Sequence, residues 1–168
     1  MAKIKAKEML KKLKVKFKDG MYDIKLEKKL LGPGKKKKEI LVYWLNVKKE
    51  VFKDFVKELC NIQFPMLSVV SGRDYGEEIE LIYHFYVNGG ARFEEEGIYV
   101  SVFLPKKNPV LPTITDIIPG ALITEMEKQE MFGINIEGIP NENFFLSKNH
   151  PKGDYPWRRD HWDNNQEK

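Results

Sequence analysis

Regular hydrophobic patterning stops at Pro105, and that break limits the fold more than any other feature of the chain. Before it, apolar residues recur at the strand period of two or the helix period near 3.6. After it, Pro109, Pro112 and Pro119 punctuate a winding segment. Large apolar residues persist there (Phe144, Phe145, Leu146, Trp157, Trp162) with little periodicity. The break divides the chain into a core domain over 1–108 and an extended tail over 109–168 with one short helix. At 168 residues and 42% hydrophobic content, the chain has the material for a real core.

Within the patterned part, Ile4, Met9, Leu10 and Leu13 sit at helical spacing and predict a short helix over Lys3–Leu13. Val15 and Phe17 alternate with lysine, and Asp19-Gly20 is a hairpin turn signal. Tyr22, Ile24 and Leu26 then read as the return strand. Gly32-Pro33-Gly34 and Lys35–Lys38 read as a loop. Glu39–Leu45 is an apolar, β-prone run, and Lys48–Cys60 carries Val51, Phe52, Phe55, Val56, Leu59 and Cys60 on one helical face. Three more strands are expected at Phe64–Val70, Glu78–Val87 and Gly97–Leu104. A short helix follows at Ala121–Met131, ended by Gly133. This order predicts an α+β fold: a mixed or antiparallel sheet with flanking helices and an extended irregular C-terminal tail.

Composition excludes several functions. No apolar run reaches the roughly 18–20 residues of a spanning helix, and the N-terminus lacks the apolar core of a secretory signal. A cytoplasmic location is expected. A single cysteine, Cys60, excludes an internal disulfide and a thiolate cluster built by this chain alone. Heavy use of Lys and Glu leans towards a thermophilic source. Residues 1–38 carry 15 lysines against four acids, so the remainder of this +4 chain is net acidic. These lysines alternate with apolar residues and include no arginine, which favours solvated faces over a nucleic-acid surface.

No self-sufficient active site is visible. His84, His150 and His161 lack metal-ligand spacing with each other or with Cys60. His84 falls mid-strand, where a packed histidine is the expected state. Gly89-Gly90 and Gly32-Pro33-Gly34 are not phosphate loops. Ser68, Ser71 and Ser101 have no nucleophile-elbow context. Glu125, Glu127 and Glu130 are expected to cap a helix or to face basic groups rather than act as an acid–base pair.

Two stretches remain, Leu111–Gly138 and Tyr155–Asp160. Both look built to present side chains to a partner. The run Glu125-Met126-Glu127-Lys128-Gln129-Glu130-Met131-Phe132-Gly133-Ile134 resembles an E-R-E-x-x-D-x-F-G-I signature. Thr115-Asp116-Ile117 and Pro119-Gly120-Ala121 resemble the segment that precedes it. Tyr155-Pro156-Trp157-Arg158-Arg159-Asp160 resembles a closing P-L-R-K-D. These motifs resemble the 30-kilodalton subunit family of respiratory complex I and its relatives in membrane-bound, energy-converting nickel–iron hydrogenases. The resemblance runs from about Val47 to His161, with Met126, Glu130 and Ile139 departing from it.

The resemblance implies a non-catalytic peripheral-arm subunit with no catalytic, cofactor-binding or metal-binding residue of its own. Iron–sulfur clusters, and a nickel–iron centre where present, would belong to partner subunits. Expected partners are a hydrogenase-like large catalytic subunit, a small iron–sulfur subunit, indirectly the membrane arm, and acidic ferredoxin at the Lys35–Lys38 loop. The expected subunit interface comprises Glu125, Glu127, Phe132, Gly133, Tyr155, Pro156, Trp157, Arg158, Arg159 and Asp160. A ferredoxin-linked hydrogenase or sulfur-reducing complex, peripheral on the cytoplasmic side of the membrane and coupled to ion translocation, is the leading reading. The same subunit in an NADH-, cofactor-420- or quinone-linked dehydrogenase, and a free-standing basic RNA- or protein-binding module, are the alternatives.

Overall fold

The computed structural model describes residues 4–32, 38–89 and 94–161. Ten main elements follow in order: α1 (Ala6–Phe17), β1 (Met21–Leu31), β2 (Lys38–Val47), α2 (Lys49–Ile62), β3 (Met66–Asp74), β4 (Glu78–Val87), β5 (Glu96–Pro105), β6 (Val110–Pro112), α3 (Leu122–Phe132) and β7 (Asn135–Glu137). Five strands form one sheet in the order β1-β2-β5-β4-β3. The sheet is mixed, because β1 is antiparallel to β2 while β2 is parallel to β5. The α+β expectation therefore holds.

Contacts divide the chain into two compact units: Met1–Val69 with Ile82–Val102, and Val70–Leu81 with Phe103–Lys168. A cut after residue 108 differs from this division, which draws the 70–81 hairpin tip into the second unit.

The first unit takes its core from alternation along β4, where Tyr83, Phe85 and Val87 are buried. α2 lays Phe52, Phe55, Val56 and Leu59 against the sheet, with the Phe52 ring 4.6 Å from that of Tyr83. Burying each such side chain contributes about 1.5–3 kcal/mol. Glu96 fixes the start of α1, accepting from the Ala6 N–H at 2.9 Å and from Asn88 at 3.0 Å. Trp44, His84 and Tyr99 pack edge to face on a smaller cluster with Ile40 and Val42. Burial, with Lys29 nearby, pushes the His84 imidazole below its ordinary pKa. It is a packed histidine, as its position in the strand predicts.

One expectation is corrected here. Val15 and Phe17 do not form a strand, and Asp19-Gly20 does not turn a hairpin. The helix continues to Phe17 because Met9, Leu13 and Phe17 share one face, and the Phe17 ring meets Phe55 at 5.7 Å. Lys18–Gly20 is a short 3-10 turn. Gly20 is needed for close approach: a Cβ there would stand 2.8 Å from Val51 Cγ2. β1 pairs with β2 instead, with Met21 opposite Val47. Of the Lys35–Lys38 loop only Lys38 is described, and Trp162 also lies outside the described residues.

Candidate partner-binding site

Both singled-out stretches fall in the second unit. Between β6 and β7, which pair in parallel with Leu111 opposite Ile136, the chain makes α3. This helix is buried at Glu125, Met126 and Lys128–Phe132, so its polar residues need partners.

Each buried polar group has one inside this unit. Glu125 is fully buried and accepts from the Thr113 hydroxyl at 2.5 Å and the Ile114 N–H at 3.3 Å. It ties the approach segment to the helix and does not cap its own N-terminus. Gln129 donates to the Pro140 carbonyl at 2.9 Å and accepts from the Ile136 N–H at 3.3 Å. Lys128 pairs with Glu127, and its ammonium lies 4.7 Å from the Trp157 ring centroid. Glu130 binds a whole loop. Its two oxygens accept from the Phe144 N–H at 2.6 Å, the Phe145 N–H at 2.9 Å and the Leu146 N–H at 2.9 Å. Three backbone donors on one carboxylate are charge-assisted bonds. They fix a loop whose Phe144 and Phe145 rings face water, 61% and 42% exposed.

The closing motif returns to the end of this helix. Gly133 ends α3 in the left-handed region at φ 63°. The Tyr155 ring covers it, so that a Cβ would lie 2.2 Å from Tyr155 Cζ. Arg158 caps the helix: Nε donates to the Phe132 carbonyl at 2.6 Å and Nη2 to the Gly133 carbonyl at 3.4 Å. Its guanidinium stacks 4.6 Å from the Tyr155 centroid. A cation at the carbonyl end of a helix is favourably placed. The Trp157 N–H donates to the Met131 carbonyl at 3.1 Å, and its ring meets Phe132 edge-on at 5.6 Å. Phe132 in turn fits against Gly72, where a Cβ would come within 2.5 Å of the ring.

A buried carboxylate, Asp74, holds the far end of the motif. It accepts from Lys106 at 2.7 Å, the Arg159 N–H at 2.9 Å and the Gly76 N–H at 2.7 Å. Burial alone would raise its pKa, but Lys106 and the two backbone donors outweigh that and hold it below the ordinary carboxylate range. Lys106 also reaches Asp160 at 3.2 Å.

The ten expected interface residues all fall in the second unit, but on different terms. Glu125 and Phe132 turn inward, and Gly133 lies under Tyr155. Tyr155 and Pro156 are half-buried, and Arg158 is engaged with α3. Arg159, Asp160 and Trp157 keep exposed side-chain surface, as Glu127 does in part. The sequence did not single out Asp74 or Lys106 and gave Gln129 no role. Asp74 and Lys106 meet across 32 residues. Gln129 reaches Ile136 and Pro140 only once the chain has turned back after α3, so no local pattern marks them. Beside the clamp lies a cavity of about 510 Å³, lined in part by Glu130, Asn135, Glu142, His150, Lys152 and Tyr155. Among the described residues, no group of three or more His, Cys, Asp or Glu side chains is placed to hold a metal ion. No described helix is long and apolar enough to cross a membrane.

Comparison with known proteins matches residues 45–167 to the family described as the respiratory-chain NADH dehydrogenase 30 Kd subunit. The chain is 32% identical over 123 residues to the membrane-bound hydrogenase subunit beta of Pyrococcus furiosus, covering 70% of this chain and 68% of that one. It is 28% identical over 126 residues to NADH-quinone oxidoreductase subunit 5 of Thermus thermophilus, spanning 60% of that protein. Among solved structures, the fold is similar to that of a membrane-bound sulfane sulfur reductase, an archaeal respiratory membrane complex, at a TM-score of 0.67 and 23% identity. That match covers 94% of this chain and 85% of the other. A trypsin-resistant fragment of Nqo5 is similar at a TM-score of 0.59 and 24% identity, covering 80% of this chain and 97% of the fragment.

Proposed function

We propose that this chain, which belongs to the respiratory-chain NADH dehydrogenase 30 Kd subunit family, is a non-catalytic peripheral subunit of a complex I-like, membrane-bound oxidoreductase. The leading version is a ferredoxin-linked hydrogenase or a sulfur-reducing relative, in which electron transfer drives ion translocation. Likeness to the hydrogenase beta subunit over 70% of the chain carries this reading. The iron–sulfur clusters and any nickel–iron centre of that assembly belong to its other subunits. Its partners are a hydrogenase-like large subunit and a small iron–sulfur subunit, on the cytoplasmic side of the membrane.

The geometry supports a division of labour within the expected interface. Gly133, Tyr155 and Arg158 lock the closing motif onto α3. The locked unit then presents Trp157, Arg159, Phe144 and Phe145 outward. Exposed aromatic rings on a tied-down loop, next to an exposed arginine, are the groups that dominate protein interfaces.

Native electrophoresis of detergent-solubilised membranes tests the assignment. Antibody to the chain should stain a band far above 19.7 kDa. A signal confined to the mass of the free chain would overturn it.

A further inference from the structure

Asn88 is the only asparagine of the chain that is followed by glycine. It stands just after β4, and the proposed function gives it no role.

Its side chain is the node of a latch within the first unit. Asn88 is 7% exposed and sits in the left-handed region at φ 63°. Its Nδ2 donates to the Ile4 carbonyl at 3.0 Å and to Glu96 Oε2 at 3.0 Å. Its Oδ1 accepts from Gln63 Nε2 at 3.1 Å. Glu96 Oε2 also accepts from the Ala6 N–H at 2.9 Å, and Gln63 Oε1 accepts from the Ile4 N–H at 3.4 Å. Residues 4–6, which lead into α1, are thus pinned by Gln63 just after α2, Asn88 just after β4 and Glu96 at the start of β5.

The same side chain is chemically labile. An asparagine amide before glycine is open to attack by the next backbone nitrogen, because glycine has no β-carbon to obstruct the approach. The Gly89 nitrogen bonds to Asn88 Cγ, the Cγ–Nδ2 bond breaks, and ammonia leaves. Water then opens the five-membered imide to aspartate or isoaspartate. Gly89 is exposed, so water has access.

We propose that Asn88 is a deamidation switch whose conversion releases the start of α1. In the closed latch three hydrogen bonds hold the amide in place, so the reaction waits until the latch opens. Conversion then prevents reclosing. A donor shared by two acceptors becomes a carboxylate oxygen, which meets Glu96 as a like charge and the Ile4 carbonyl as a second acceptor. Buried groups left unpaired in this way are strongly unfavourable. Aspartate tolerates the left-handed backbone as asparagine does, so the new charge, and not the shape of the turn, drives release. The buried face of α1 (Met9, Leu10, Leu13) is untouched by the chemistry, so the opening is local.

Amide hydrogen exchange and peptide mapping of the full chain test this together. Asn88→Asp, the direct product of the reaction, should speed exchange at Ala6, Glu8 and Met9 by about tenfold or more. Adding Glu96→Gln, which sets an amide donor opposite the new carboxylate, should restore slow exchange there. Gln63→Ala keeps Asn88 but loosens the latch. In mildly alkaline buffer it should convert Asn88 to aspartate and isoaspartate about fivefold or more faster than the wild type, a readout that holds even if Asn88→Asp folds poorly. Equal conversion rates in Gln63→Ala and the wild type overturn the proposal. So does an Asn88→Asp chain whose exchange at these amides is unchanged, or is not slowed again by Glu96→Gln.

Discussion

The Tyr155 ring lies over Gly133 so closely that a β-carbon would stand 2.2 Å from Cζ. Residues 22 positions apart thus make one joint, with glycine required twice: for the contact and for φ 63°. Gly133→Ala should destabilise the chain by about 2–4 kcal/mol, combining left-handed backbone strain with overpacking. Urea denaturation measures it. A variant as stable as the wild type would show that the joint opens freely.

Arg158 and Arg159 are adjacent but should behave differently. Arg158→Ala removes the cap on α3 and should cost about 1–3 kcal/mol of stability. Arg159→Ala removes an exposed side chain and should change stability by less than about 0.5 kcal/mol. The second variant should instead weaken co-purification with partner subunits. Equal stability losses would contradict the assignment.

Glu130 should govern the order of the Phe144–Leu146 loop. Glu130→Gln removes the charge and leaves one acceptor oxygen for three donors. Amide hydrogen exchange at Phe144, Phe145 and Leu146 should accelerate by about tenfold or more, as loss of charge-assisted bonds worth about 1.5–3 kcal/mol implies. Unchanged exchange there would mean that the carboxylate does not hold the loop.

Asp74 gives the chain a defined acid sensitivity. Its folded pKa lies below the ordinary value, so its contribution is present above the unfolded value of about 3.9. That contribution is lost as pH falls through the folded value. Asp74→Asn should lower stability by about 1.5–3 kcal/mol at neutral pH. The gap from wild type should narrow as the pH is taken below about 4. A gap constant down to pH 2 would exclude titration of this group as its source.

Much of the fold is legible in the sequence because its elements carry their own period. β4 spans Glu78–Val87 as the alternation predicts, and α3 begins and ends within one residue of expectation. The hairpin at Asp19-Gly20 failed because turn propensity is local, whereas Phe17 is claimed by Phe55 38 residues away. The tail was legible as a place and only partly as a mechanism. A motif of aromatic, proline and arginine residues says that contacts will form there. It does not say that Arg158 finds the carbonyls of Phe132 and Gly133 in its own chain.

Purification through a tag on this chain from detergent-solubilised membranes, with co-purifying proteins quantified by mass spectrometry, tests the central claim most directly. The account predicts a hydrogenase-like large subunit, a small iron–sulfur subunit and membrane proteins in fixed ratio to the chain. Recovery of the chain alone, or of companions whose ratio drifts between preparations, would contradict it.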